Sequence, residues 1–123
     1  MIKGTGIDII EVQRVAEKIS KPGFKEKVFS VDEIKYCEQM AESAQHFAAR
    51  FAAKEAFLKA TGKGLMLTYN LKDIEVAGDE MGQPHVILKG ALADLAETSG
   101  WKKIHLSLSH VQATACAVVI IEE

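Results

Sequence analysis

Phe47-Ala48-Ala49-Arg50-Phe51-Ala52-Ala53-Lys54-Glu55-Ala56-Phe57-Leu58-Lys59-Ala60 decides how the rest of the chain is read. Ten of these fourteen residues are apolar. At about 100° per residue, Phe47, Phe51, Lys54, Glu55 and Leu58 fall within about 100° of one another, and alanine covers most of the remaining circumference. A helix that is apolar nearly all round is a buried helix. Burying a carboxylate without a partner is costly, so Glu55 needs a cation, a metal or a chemical role. Lys59 stands four residues on, in the favourable orientation, but such a pair on an exposed helix contributes only about 0.2–0.5 kcal/mol. Arg50 and Lys54 form a second pair at the same spacing, of like charge, which is unfavourable unless an anion lies near.

Outward from this run, Ser43 reads as the helix cap and Gly62-Lys63-Gly64 as its terminator after Thr61. Upstream, residues 2–10 read as a strand in which Gly4 and Gly6 leave room for close backbone approach. Residues 11–20 read as a helix with Val12, Val15, Ala16 and Ile19 on one face, stopped by Lys21-Pro22-Gly23. A short helix is expected around residues 24–29. Another begins after Ser30, with Asp32 and Glu33 in its first turn, and ends near Met40. Downstream, residues 71–76 and 85–88 read as strands around a turn from Gly78 to Pro84. A helix over residues 90–99 closes at Gly100, and residues 103–111 and 113–121 read as a hairpin. The expected fold class is α+β: a small, mainly antiparallel sheet packed against a long Ala-rich helix and shorter helices, forming one domain over residues 1–123.

Composition narrows the function classes. The 123 residues carry a net charge of −2, with 26% charged and 48% hydrophobic residues, so nothing global points to nucleic acid. Cys37 and Cys116 stand in neither a CxxC nor a histidine spacing, which argues against zinc and for a reducing compartment. The first residues lack the pattern of a signal peptide, and no run approaches the length of a membrane span. A soluble cytoplasmic protein is expected.

Other polar residues stand out. Asp8 lies among β-branched apolar residues in Gly6-Ile7-Asp8-Ile9-Ile10, where it is either an edge-strand aspartate, a cap for the helix that follows, or a ligand. Asp8 and Glu55 together offer oxygen-only chemistry that suits a hard cation such as Mg²⁺, which takes one or two carboxylates plus phosphate oxygens. Nearby arginine and lysine then suit a phosphate-rich ligand. Ser107, Ser109 and His110 close a strand where they could bind phosphate. A Ser-His hydrolase would need an elbow motif and an acid partner that the sequence does not offer. Gly62-Lys63-Gly64 is not a P-loop, because these glycines follow a helix instead of preceding one.

Two motifs carry a resemblance. Gly6-Ile7-Asp8-Ile9-Ile10-Glu11-Val12-Gln13-Arg14 matches the GxDxxxxxR-like opening of the 4′-phosphopantetheinyl transferases. Phe51-Ala-Ala-Lys54-Glu55-Ala-Phe-Leu-Lys59-Ala60 matches their (W/F)xxKEAxxKA signature. With Gly82-Gln83-Pro84 and Ser107-Leu108-Ser109-His110, the spacing resembles the short type of that family over nearly the whole chain. The resemblance implies transfer of the 4′-phosphopantetheine arm of coenzyme A to a serine of apo-acyl carrier protein, with adenosine 3′,5′-bisphosphate as by-product, in support of fatty acid biosynthesis. It implies Asp8 and Glu55 as Mg²⁺ ligands and catalytic groups, and Lys59 as a catalytic cation at the diphosphate. Arg50, Lys54, Lys59, Gly82, Pro84, Ser109 and His110 would hold coenzyme A. Arg14 would contact the acyl carrier protein, and Lys18 and Lys25 extend a basic surface suited to that small acidic partner. Short members of the family assemble as homotrimers with active sites between subunits.

Overall fold

A computed structural model describes residues 1–63 and 69–123. Its elements run in the order β1 (Ile2–Glu11), α1 (Val12–Ile19), α2 (Phe24–Val28), α3 (Val31–Glu38), α4 (Ser43–Thr61), β2 (Ile74–Gly78), β3 (Pro84–Leu88), α5 (Gly90–Ser99), β4 (Lys103–His110) and β5 (Thr114–Glu122). A 3₁₀ turn at Leu71–Asp73 precedes β2. The fold is α+β, as the sequence predicts. The strands form two antiparallel sheets where one was expected: a three-stranded sheet ordered β1-β5-β4 and a separate β2-β3 ribbon.

Helix α4 lies at the centre. Between Phe47 and Ala60 every residue except Glu55 and Lys59 is buried, so the all-round apolar character of this run is used on all sides. Its N-cap falls on Glu42, one residue before the expected Ser43, and no side chain caps it. Burial therefore sets where this helix begins. At the other end Gly62 adopts φ 67°, and its N–H bonds the carbonyl of Lys59, a left-handed stop that glycine takes without strain. Gly64, the last residue of the expected terminator, lies outside the described residues.

The three-stranded sheet packs its inner face on α4. Ala115, Ala117, Val119 and Ile121 of β5 point inward and are buried. Strand β1 comes closer still. A Cβ on Gly4 would overlap the backbone carbonyl of Ala60, and one on Gly6 that of Ala56. Strand and helix backbones therefore touch, and only glycine permits it. The alternation of β1 then puts Ile7 and Ile9 on the outer face and Asp8 on the helix side.

Two apolar clusters flank α4. One joins its C-terminal half to Ile74, Val76, Leu92, Trp101, Val119 and Ile121. The other joins its N-terminal half to Val12, Val15, Val28, Phe29 and Cys37. A polar hub links helix α3, helix α4 and strand β2. The Lys54 ammonium, fully buried, donates to Glu33 Oε1 at 2.8 Å and to the carbonyls of Leu71 and Ile74. Glu33 closes a capping box with Ser30, and its second oxygen accepts the Val76 N–H at 2.9 Å. Every donor and acceptor at the hub is engaged, which is the condition for tolerating buried charge. Burial pushes the Lys54 pKa down, against the pull of Glu33.

Lys54→Met leaves the Glu33 carboxylate buried without its cation. The expected loss is about 3–5 kcal/mol of unfolding free energy, read as a lower urea midpoint with an unchanged slope.

Candidate active site

Two clefts open on opposite sides of α4. Phe51 and Glu55 form one stripe of the helix, and His46 and Arg50 another, roughly 140° away at 100° per residue. The clefts share no lining residue.

The first cleft, of about 540 Å³, is walled by Asp8, Ile9, Ile10 and Glu11 from β1, Arg14 and Lys18 from α1, Phe51 and Glu55 from α4, and Thr114 from β5. Asp8 and Glu55 thus meet in one cavity, although the sequence separates them by forty-seven positions. The close packing of β1 on α4 brings them together. Lys59 turns toward Asp8: its ammonium lies 2.8 Å from Asp8 Oδ1 and donates to the Ile7 carbonyl at 3.1 Å. The expected local partner of Lys59 was Glu55, so the structure redirects that cation across to the strand. Burial raises the Glu55 pKa, and the Asp8 charge raises it further, while Lys59 and Lys18 oppose the shift. Two carboxylates that feel each other's charge at the mouth of a cleft fit a divalent cation in oxygen coordination. Among the described residues there is no group of three or more His, Cys, Asp or Glu able to hold a metal. A hard cation on these two carboxylates would take its remaining oxygens from water or ligand.

The second cleft, of about 400 Å³, is walled by Tyr36, His46, Ala49, Arg50, Gly78, Asp79, Gly82, Pro84, Leu108 and His110. Arg50 is buried, its guanidinium stacked 4.2 Å from the Tyr36 ring centre. Gly82 takes φ 81° in the turn between β2 and β3. Asp79 ties that turn together by accepting the N–H groups of Met81 and Gln83, each at 2.9 Å.

The expected site residues therefore divide. Asp8, Glu55, Arg14 and Lys18 line the first cleft, with Lys59 held at Asp8 beside it. Arg50, Gly82, Pro84 and His110 line the second. Ser109 lines neither; it is exposed near the end of β4, opposite Cys116. Lys54 is a correction. It was expected among the phosphate ligands, but it is sealed in the core with its donors spent on Glu33, Leu71 and Ile74. The helical wheel puts Lys54 beside Glu55, but it does not show that α3 and β2 cover that position. Lys25 is bound to Glu38 at 2.6 Å and stands away from the first cleft. Sequence reasoning missed Glu11, Thr114, Tyr36, His46 and Asp79 as cleft residues. Of these, His46 carried a signal, since it stands one turn before Arg50 on the same helix face.

The sequence model of the 4′-phosphopantetheinyl transferase superfamily matches residues 4–119. A holo-[acyl-carrier-protein] synthase of Syntrophus aciditrophicus is 46% identical over 124 residues, covering 99% of this chain and 97% of its own. The crystal structure of holo-[acyl-carrier-protein] synthase from Neisseria meningitidis superposes with a TM-score of 0.90 at 32% identity, covering 100% of both chains. A coenzyme A complex of the enzyme from Chronobacterium ammoniagenes superposes with a TM-score of 0.84 at 33% identity, covering 96% of this chain and 95% of that one. The chain belongs to the 4′-phosphopantetheinyl transferase superfamily, in its holo-[acyl-carrier-protein] synthase branch.

Proposed function

We propose that this chain, as one transferase domain, moves the 4′-phosphopantetheine arm of coenzyme A onto a serine of apo-acyl carrier protein in a Mg²⁺-dependent reaction that serves fatty acid biosynthesis in the cytoplasm. The observation that carries the reading is the convergence of Asp8, Glu55 and Lys59 at one cleft mouth. The carrier serine oxygen forms a bond to the phosphorus bearing the pantetheine. The diphosphate P–O bond breaks, and adenosine 3′,5′-bisphosphate leaves. Lys59, fixed by Asp8 and the Ile7 carbonyl, presents a preorganised positive charge to the diphosphate. Asp8 and Glu55 would hold Mg²⁺, which when bound supplies charge neutralisation for the diphosphate and its leaving group. Glu55 or a water takes the serine proton. Arg14 and Lys18, in the wall of the same cleft, offer the acidic carrier a complementary rim.

The nucleotide end of coenzyme A falls to Arg50, Gly82, Pro84 and His110. Since the two clefts of one chain lie on different sides of α4, one coenzyme A spans both kinds of cleft most readily between adjacent copies. Homotrimeric assembly through the outer face of the three-stranded sheet supplies that arrangement. Ile7, Ile9 and Val118 are 67%, 72% and 36% exposed there, with Ile7 directly opposite Val118. Neighbouring large apolar side chains left in water mark an interface.

Incubation with coenzyme A, Mg²⁺ and apo-acyl carrier protein is expected to add one phosphopantetheine to the carrier, read by intact-mass spectrometry. Asp8→Asn and Glu55→Gln each reduce the rate by at least about a hundredfold. An unmodified carrier would overturn the reading. Ile9→Lys is expected to break the assembly, read by light scattering on a sizing column, and to lower turnover with it.

Glu55 also links metal, proton and stability. Its pKa is raised above 4.5 in the metal-free fold, so the ionised form costs stability at neutral pH. That cost fades as pH falls through the folded pKa and is gone below the ordinary value. Metal-free Glu55→Gln therefore melts higher than the unsubstituted protein at neutral pH, and the gap closes as pH approaches 4.5.

A further inference from the structure

Arg50 sits in the wall of the second cleft with only 6% of its surface exposed. Its Nε has no hydrogen-bond partner, the one such buried side-chain atom among the described residues. A guanidinium held in a cleft wall is a fit receptor for an anionic acceptor. One turn earlier on α4, the His46 ring lies 5.1 Å from that of His110 at 66°, and 6.0 Å from Tyr36 at 74°. The carboxylate in this wall is Asp79, and its oxygens are taken by the Met81 and Gln83 N–H groups and by His85 at 3.0 Å. The cleft therefore presents one permanent cation, two imidazoles and a spent carboxylate: the chemistry of a phosphomonoester site.

We propose that His46 is a specificity-determining residue of this cleft, donating to the phosphomonoester that Arg50 receives and fixing the His110 ring beside it. The proposal rests on the reading that this cleft receives the nucleotide end of coenzyme A, with its 3′-phosphate at Arg50 and His110, and it adds His46 to that pair. The titratable and charged groups facing His46 are Tyr36 from α3, Arg50 from α4, His110 from β4 and Asp79 from the turn after β2. Burial, then His110, then Arg50 hold its pKa below 6.5 in the free protein. A bound dianion offsets the two repulsive neighbours, so binding takes up a proton and strengthens as pH falls.

The test is calorimetric binding of adenosine 3′,5′-bisphosphate and of adenosine 5′-monophosphate, which lacks the 3′-phosphate, to the assembled protein at about pH 6 and about pH 8. The unsubstituted protein is expected to prefer the bisphosphate, more so at the lower pH. His46→Phe and His46→Gln each reduce that preference by roughly three- to tenfold and flatten its pH dependence. A folded variant that keeps both the preference and its pH dependence overturns the proposal, as does an unsubstituted protein that does not distinguish the two nucleotides. A readout on the unsubstituted protein needs no variant to fold: the His46 ring resonances shift toward the protonated form when the bisphosphate is added, and unmoved resonances overturn the proposal. A protein that discriminates through His46 but modifies no acyl carrier protein sinks the transferase reading alone. An active transferase with an indifferent His46 sinks this one alone.

Discussion

The direct contact between the backbone of β1 and the backbone of α4 governs this molecule. Gly4 and Gly6 let the strand settle against the carbonyls of Ala60 and Ala56, with no side chain between. A layer of ordinary side chains would hold a strand and helix about 10 Å apart, as between packed sheets. Here the missing layer lets a short aspartate on the strand reach an ammonium on the helix. The strand's pleat does the rest, turning Asp8 toward α4 and its isoleucine neighbours away. Both the Asp8–Lys59 pair and the exposed apolar face follow from this one close contact.

Helix α4 divides its circumference among three tasks. One stripe carries Glu55 to the first cleft, a second carries Arg50 and His46 to the other, and Lys54 between them is committed to the core. The Lys54–Glu33 pair is the counterpart, on the α3 side, of the glycine contact on the β1 side. It ties α3 to the start of β2 through Val76, which sets where the β2–β3 turn with Gly82 stands relative to Arg50. Three cations within ten residues thus have different fates, decided by which neighbouring element covers each.

Much of this was legible in the sequence. The buried character of α4, its glycine stop, the helix capped by Ser30 and the strands at either end of the chain follow from periodicity and from local cap chemistry, and both are local signals. The role of Gly4 and Gly6 was legible as well, since glycine in a strand marks a close approach. What escaped was set by long-range packing. The wheel that groups Lys54 with Glu55 cannot show that α3 closes over one and leaves the other at a cleft. Likewise Lys59 has an equal local claim on Glu55, and only the arrival of β1 from fifty-one positions away decides for Asp8. The split into two sheets also lay beyond pattern, because alternation identifies strands but not their partners.

The ladder that holds β1 has a temporal side. Ile2 pairs with Glu122 and Glu11 with Thr114, so each rung joins residues more than one hundred positions apart, the costliest loops for a folding chain to close. Until β5 is in place, β1 has no strand beside it and only its contact with α4 holds Asp8. Glu55 and Lys59, on a helix of local bonds, can be ready long before. A chain in which β1 has not yet paired can carry Glu55 and Lys59 on a formed helix but lacks the ladder that holds Asp8 opposite Ala117. The pairing of Asp8 with Lys59 therefore belongs to the closed fold, where the two ends of the chain meet in one sheet.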